Sequence, residues 1–368
     1  MHVLTVNAGS TSLKLERYEL PPAPGALAAP LAATYTVATT LNAAESALAE
    51  AIRDPIDAIA HRFVRVPDGS PAVFPLDAGT IDRIAAVGVD APLHDASALR
   101  AVDIVGRLRP DLPQFAVSDS AYHQTMSQAA ATYALPYELT RSGLRRIGYH
   151  GLSHQYAAHR GCALAGLDVR HARVVTAHLG GGSSLCATRD GASVDTTMGY
   201  TPLEGLPMAT RSGSVDPGLL LHLLRTGMSV DSLEEMLEHR SGLLGVSAFS
   251  GDVRELLAAG AGPGARQALD VLSWRLRSSL GAMVAVLGGV DLIAFTGGIG
   301  EHAPEIRAAA LDGGLGVGAA LDRKRNATTT IDGRISGDDA AVALYVVTAR
   351  EGWQLARAAA SASAHVLG

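Results

Sequence analysis

The groups that could do chemistry sit in short clusters separated by ordinary core-forming sequence. The densest runs from His178 to Pro217, HLGGGSSLCATRDGASVDTTMGYTPLEGLPMATRSGSVDP. It opens with Gly180, Gly181 and Gly182, followed by Ser183 and Ser184. Glycines let backbone N–H groups approach an anion closely, and serine hydroxyls add donors. Near its end stands Thr210-Arg211-Ser212-Gly213, a guanidinium among small hydroxyl residues that suits a phosphoryl group. A second cluster, Asn7-Ala8-Gly9-Ser10-Thr11-Ser12, has Lys14 just beyond it. A third reads Thr296-Gly297-Gly298-Ile299-Gly300-Glu301-His302-Ala303-Pro304. One glycine-rich turn is weak evidence of phosphate binding; three, each after an apolar run, are much stronger.

Other candidates stand between these clusters. His61 and Arg62 end a strand-like run. Asp119 lies just past the run Gln114–Ser118, where a carboxylate can hold a metal ion; the residues alone are equally consistent with a helix N-cap. His150 and His154 are four apart, as zinc ligands on one helix face would be. No Glu follows His150 in an HExxH pattern, so zinc is not favoured. We expect Gly151 to end a loop, Ser153 to cap a helix to Ala165, and His150 to point into a cleft. Cys162 and Cys186 form no disulfide framework and no CxxC site, and read as small buried apolar side chains.

The elements that must position these groups follow from periodicity and punctuation. Val3–Val6 and Leu13–Arg17 read as strands around the first turn, and Arg173–Ala177 and Ser184–Thr188 as strands around the second. The two units echo one another, which predicts one copy per domain; two unrelated hairpins with shared turn chemistry would look the same. Strands are expected at 56–63, 114–118, 290–295 and 342–348. Helices are expected at 42–54, from 91–95 to Leu108, and at 125–134, 218–225, 232–239 and 268–287, with a last one from Trp353. Residues 21–30 and 242–252 read as loops. The third glycine cluster reads as strand, glycine turn and proline-started helix.

The 368 residues imply two domains. Hydrophobic content of 48% and charged content of 18% describe an ordinary globular chain. Aromatics are only 4%, so Ala, Leu and Val must fill the cores. A net charge of −6 and the lack of a Lys/Arg block argue against a nucleic-acid surface. No signal-peptide pattern and no apolar run of membrane-spanning length appear, so a cytoplasmic protein is expected.

The chain resembles the acetate kinase family and its close acyl-kinase relatives. The segments that carry the resemblance are VNAGSTSLK (6–14), HRFV (61–64), APLH (91–94), SDSAYHQTM (118–126), GYHGLSH (148–154), AHLGGGSSLCA (177–187), VDTTMGYTPLEGLPMATRSGSVDP (194–217), SGLLGVSAFSGDVREL (241–256) and FTGGIGEHAPEIR (295–307). The resemblance implies an α/β fold of two duplicated actin-like ATPase (ribonuclease H-like) domains flanking a nucleotide cleft. The expected domains are residues 1–120 with 353–368, on the acyl and phosphate side, and residues 121–352, on the nucleotide side. It implies reversible phosphoryl transfer between ATP and a short carboxylate, acetate or acetyl phosphate in the two directions, with Mg²⁺ or Mn²⁺, in a homodimer. By the same resemblance His150 and Arg211 stabilise the transition state, and Arg62 and Asp119 join them as catalytic residues. Arg62, Val64, Leu93, Tyr149 and Pro202 bind the acyl substrate. Lys14, His178, Gly180, Gly181, Gly182, Asp252, Val253, Arg254, Gly298, Ile299, Gly300 and His302 contact the nucleotide. Asn7, Asp119 and Glu351 serve the metal.

Four positions depart from the family pattern. Gly181 replaces an asparagine, and His302 stands in an asparagine's place. Tyr149 replaces a phenylalanine and is expected to set a hydroxyl close to the substrate. Of an acidic pair near the end only Glu351 remains, with Gly352 beside it. Propionate is the nearest alternative substrate, since one methylene is worth about 1–3 kcal/mol of discrimination. A pyrophosphate-using enzyme fits less well, because segments 252–254 and 297–301 are kept. A non-catalytic nucleotide-binding relative is the alternative from another class.

Overall fold

The computed structural model describes residues 1–8, 12–20, 31–38, 41–53, 55–87, 92–258 and 262–366. The expected loop at 21–30 and the turn residues Gly9–Thr11 lie outside these. The chain forms two compact units, Met1–Tyr122 with Arg350–Gly368, and His123–Ala349.

The first unit is built on β1 (His2–Ala8), β2 (Ser12–Glu19), β3 (Leu31–Ala38), β4 (Ala58–Phe63), β5 (Val73–Pro75) and β6 (Gln114–Ser118), in the order β3-β2-β1-β4-β6-β5. β1, β2 and β3 pair antiparallel; β1, β4 and β6 run parallel; β5 is antiparallel to β6. The second unit has β7 (Arg173–Leu179), β8 (Ser183–Arg189), β9 (Ala192–Thr196), β10 (Leu292–Thr296), β11 (Gly333–Arg334) and β12 (Ala343–Val346), in the order β11-β12-β10-β7-β8-β9. Its pairings repeat those of the first unit strand for strand, in sequence order and in sense. The echo between the two glycine-rich hairpins is therefore part of a repeated sheet.

Parallel strands covered on both faces read as continuous apolar runs, and all five residues of β10 are buried. In the first unit Leu4, Val6, Leu13 and Leu15 pack with Leu48, Ile104 and Val105 from the helices Leu41–Ala51 and Pro92–Leu108. In the second, Leu272, Leu276, Leu280 and Val284 line one face of the helix Pro263–Leu287 at fourfold spacing and pack on Val175, Leu185, Ile293 and Phe295.

Several expected bounds move. The long helix begins at Pro263, before Ala268, because Pro263 is set for the first helical position after Gly262. Helix at 125–134 shrinks to Gln128–Ala131, where the Arg146 N–H takes the Ala131 carbonyl and Thr132 turns extended. The expected loop at 242–252 opens with a helix, Gly242–Ser247. No glycine turn separates β10 from the next helix, which starts at once as Gly297–His302. The last helix spans Glu351–Val366, so it begins before Trp353 and includes Gly352. Both cysteines are free and buried; burial pushes the Cys162 thiol up to about 11 and that of Cys186 to about 12. Among the described residues no helix is long and apolar enough to cross a membrane.

His61 on β4 is fully buried, with Nε2 2.8 Å from Gln114 Oε1. Burial pulls its imidazole down from 6.5 to about 4, against the smaller opposing effect of the Gln114 hydrogen bond. The unfolded chain therefore takes up a proton here between about pH 6.5 and 4 that the folded chain refuses, so stability falls as pH falls through that window. The gap corresponds to about 3 kcal/mol at its acid end. We expect the pH dependence of thermal unfolding between 6.5 and 4.5 to be shallower in His61→Gln than in the native chain; equal slopes would refute this assignment.

Candidate active site

In the second unit the chain leaves β7 at Leu179, turns through Gly180–Gly182 and enters β8. The turn is closed by Gly180 N–H donating to the Gly182 carbonyl at 3.0 Å. Ser183 bonds to Gly180 within the same turn. Both Ser183 and Ser184 are buried, so neither offers its hydroxyl to an anion over the turn as the sequence suggested. Their role is internal.

Space around the glycines shows what converges on them. A Cβ on Gly182 would lie 3.2 Å from His150 Nε2 and 3.8 Å from Arg211 Nη1. A Cβ on Gly180 would lie 3.9 Å from Gly298 N and 4.0 Å from His178 Nε2. The structure thus brings together His150, His178, Arg211, the Gly180–Gly182 turn and the start of the third glycine segment. The rings of His150 and His178 are 4.4 Å apart between centroids.

His150 is held by a chain of hydrogen bonds. It sits at the N-cap of the helix Gly151–Ala165 in a left-handed conformation, φ 58°. Ser153, expected as the cap, lies inside the first turn instead and bonds His178 Nδ1 at 2.7 Å. His150 Nδ1 is 2.8 Å from Ser184 Oγ, and the same oxygen is 2.8 Å from His154 Nε2. His154 Nδ1 is 2.7 Å from Thr176 Oγ1, which donates to the Cys186 carbonyl. A hydroxyl has one proton to give. Ser184 can therefore donate to only one of the two rings. Nε2 of His150 faces Gly182.

Arg211 is fixed from outside the turn. Its Nε donates to Glu238 Oε2 at 2.9 Å, a charge-assisted bond that sets the guanidinium plane. The backbone around it is clamped by the helix Gly242–Ser247, whose Leu243 and Leu244 N–H groups donate to the Met208 and Ala209 carbonyls. Gly242 has φ 58°, and a Cβ there would lie 2.6 Å from the Arg211 carbonyl. Glu204 anchors the preceding loop through Tyr133 Oη and Arg146 Nη2 at 2.5 and 2.7 Å.

The third glycine segment is built from within. Gly297 has φ 78°, and a Cβ would lie 2.7 Å from the Leu179 carbonyl, so the segment packs directly on the end of β7. Buried Glu301 accepts from the N–H groups of Gly297 and Ala349 at 3.0 and 2.9 Å. Fully buried Arg307 donates to the carbonyls of Gly300 and Glu301 and to Asn326; burial pulls its guanidinium down to about 10. Gly298 is exposed, Ile299 packs against the core, Gly300 is buried and His302 is exposed at the helix end. Asp252 and Arg254 pair with one another, Nη2 to Oδ2 2.5 Å. Hydrogen bonds from the Arg254 side chain and backbone hold the Asp252 carboxyl at about 2. Val253, expected at the nucleotide, has its side chain in the hydrophobic core because it opens an amphipathic turn. Tyr149 is buried, and its hydroxyl donates to the Tyr200 carbonyl at 2.6 Å. That overturns the expectation of a hydroxyl offered to substrate. Pro202 is half-buried in the loop beyond.

In the first unit, parallel register puts Asn7, Arg62 and Asp119 at neighbouring strand ends. Arg62 Nη2 donates to Asp119 Oδ2 at 2.6 Å and Nη1 to Asn7 Oδ1 at 3.3 Å. Asn7 Nδ2 donates to Glu351 Oε2 at 3.4 Å. Asp119 is fully buried and forms an ion pair with Arg62. Lys14 pairs with Asn7 in the β1–β2 register and bonds Glu16 at 2.9 Å. Val64 is buried; the side chain of Leu93 lies outside the described residues. Sequence reading missed Glu301 and Arg307, though both lie inside a quoted motif, and Glu238, which is 27 residues from Arg211 on a polar helix and carries no local signal.

The Acetokinase family model matches residues 25–357. The acetate kinase of Nostoc punctiforme is 42% identical over 305 residues, covering 82% of this chain and 75% of its own. That of Thermosynechococcus vestitus is 36% identical over 402 residues, covering 97% of each. The crystal structure of Porphyromonas gingivalis acetate kinase superposes with a TM-score of 0.88 at 31% identity over 100% of both chains. A propionate kinase from Francisella tularensis reaches 0.86 at 29% identity over 98% of this chain and 99% of its own. The chain belongs to the acetokinase family. Its paired sheets are the duplicated actin-like ATPase fold of these relatives.

Acetokinases use ATP and a divalent metal ion. Asn7, Asp119 and Glu351 fit such an ion in donor chemistry, offering only oxygen ligands. Among the described residues no three His, Cys, Asp or Glu cluster as a full metal cage. Few protein ligands, with water and phosphate completing the shell, is the habit of Mg²⁺. The chain's departure from the family pattern at Gly181 leaves room for a side chain, since a Cβ there meets nothing within 4 Å. We expect Gly181→Asn to fold normally and to lower KM for ATP about fivefold, the worth of roughly 1 kcal/mol of hydrogen bonding. Steady-state kinetics checks this; an unchanged or higher KM would show that the turn already has another donor.

Proposed function

We propose that this chain catalyses reversible transfer of the γ-phosphoryl group of ATP to acetate, giving acetyl phosphate and ADP. The convergence of His150, Arg211 and the Gly180–Gly182 turn carries the reading. Phosphoryl transfer needs alignment and charge neutralisation more than covalent help. An acetate oxygen attacks the γ-phosphorus while the bond to the β,γ-bridging oxygen breaks, and the electron pair leaves on ADP. Arg211, held in plane by Glu238, and His150, held by Ser184, neutralise charge on the transferred group. Backbone N–H groups of Gly180–Gly182, with His178 and Lys14, hold the phosphate chain. The segments 252–254 and 298–302 serve the adenosine side, Val253 through its backbone. Arg62 draws in the carboxylate, and Val64, Leu93, Tyr149 and Pro202 bound its methyl group, Tyr149 as an apolar wall. Asp119 and Glu351, with Asn7, would hold the divalent metal ion, Mg²⁺ in this reading, which would offset phosphate charge.

Propionate is the second reading, favoured by the likeness to the Francisella propionate kinase. Hydroxylamine trapping with ATP, Mg²⁺ and each of acetate, propionate and butyrate tests both. Acetyl hydroxamate should form with the highest kcat/KM, and Arg211→Ala should lower kcat by about 10²–10³-fold. No hydroxamate from any acid would sink the kinase reading.

We also propose a homodimer. The helix Pro217–Arg225 has no buried residue, and its Leu219 and Leu221, on opposite sides of it, are each 49% exposed; apolar side chains left uncovered on both sides of a helix suit an interface. Light scattering should give twice the chain mass, and Leu219→Glu with Leu221→Glu should halve it; a monomer at micromolar concentration would count against the idea.

A further inference from the structure

Glu16 is an acidic residue that none of the roles above uses, and it is almost fully buried, 7% exposed, on the sheet face that carries Asn7. Residues paired across antiparallel strands share a face, so Thr5, Asn7, Lys14, Glu16 and Tyr18 form one polar stripe. The helix Glu351–Val366 packs over this face. Its second residue is Gly352. A Cβ at 352 would fall well inside contact distance of the Glu16 carboxylate and 2.7 Å from Tyr18 Oη. The Glu16 carboxylate thus occupies the space that a side chain at 352 would need. It is held there on two sides, by Lys14 at 2.9 Å and by a hydrogen bond from the Tyr18 hydroxyl. Burial first, then the charge of Glu16 and that hydrogen bond, push the Tyr18 phenol well up. Trp353 packs against Tyr18 with ring centroids 5.9 Å apart.

We propose that Glu16 is a positioning residue for Glu351. Its carboxylate, seated against the glycine of the first helical turn, fixes where that turn starts, and so fixes Glu351 at Asn7. A carboxylate against the first turn is also electrostatically favoured there. Glycine at 352 is then a requirement of the seat, although glycine in a helix is intrinsically unfavourable. The charge of Lys14 is shared with Glu16 in the same seat, which ties the position of the lysine to that of Glu351. This inference rests on the assignment of Glu351 to the metal.

The test is direct binding of Mn²⁺ to the full chain in the presence of ADP, read by electron paramagnetic resonance, alongside KM for acetate and thermal melting. Glu16→Ala should raise the Kd for Mn²⁺ about tenfold and leave KM for acetate within twofold. Glu16→Gln, which keeps the shape and accepts from Tyr18, should recover most of the affinity. Should Glu16→Ala fail to fold, Gly352→Ala, which displaces the carboxylate without removing it, should show the same rise. Mn²⁺ affinity within twofold of native in the folded variant, with only a lowered melting point, would reduce Glu16 to a packing role and overturn the proposal. Glu351→Ala is the control: it should abolish Mn²⁺ binding. If it does not, the metal assignment fails and the proposal falls with it; if it does while Glu16→Ala binds normally, the proposal alone fails.

Discussion

One hydroxyl ties together the buried polar chain of the second unit. Ser184 Oγ lies 2.8 Å from a nitrogen of each of two histidines, His150 and His154. It can donate to only one of them, so the two rings share a single hydroxyl proton. The same hydroxyl links β8 to the start of the helix Gly151–Ala165, and His154 carries the chain on to Thr176 of β7. It explains why small hydroxyl residues alternate with histidines on facing elements, and why Ser184 is buried instead of lying open over the turn. A buried polar chain of this kind is costly when any member is left unpaired, so it holds β7, β8 and the helix in one register. Arg211 is fixed independently by Glu238.

Much of the frame was legible in the sequence. β-branched runs broken by glycine gave the hairpins, and the fourfold spacing of Leu272, Leu276 and Leu280 gave the long helix. The repeat was visible only as turn chemistry, yet it extends to every strand pairing. Residues that act through long-range contacts were not legible. Glu238 reaches Arg211 from a helix whose sequence reads as an ordinary solvated face. The seat of Glu16 depends on which strand lies opposite residue 352, and sequence spacing of more than three hundred residues does not disclose that.

The misread bounds share a cause. Gly242, Gly297 and Gly352 all looked like breakers, since glycine weakens a helix by about 1 kcal/mol. Each instead stands at or just inside a helix start, where close packing on another chain segment leaves no room for a side chain. Tertiary contact overrode propensity at all three. Tyr149 misled in the opposite way: its hydroxyl suggested polarity in the acyl pocket, but a backbone carbonyl takes it.

The discontinuity of the first unit has a bearing on synthesis. The second unit is a single uninterrupted segment, whereas the first is opened by residues 1–122 and closed only by those after 349. On the ribosome the sheet of the first unit must wait, with one face bare, while more than two hundred residues of the second unit are made and can fold. Only then does the helix Glu351–Val366 arrive to cover β1, β4 and β6 and bring Glu351 to Asn7. A nascent chain therefore completes the unit that carries His150, Arg211 and the Gly180–Gly182 turn first and the cluster of Asn7, Arg62, Asp119 and Glu351 last, and a chain released early keeps the former without the latter.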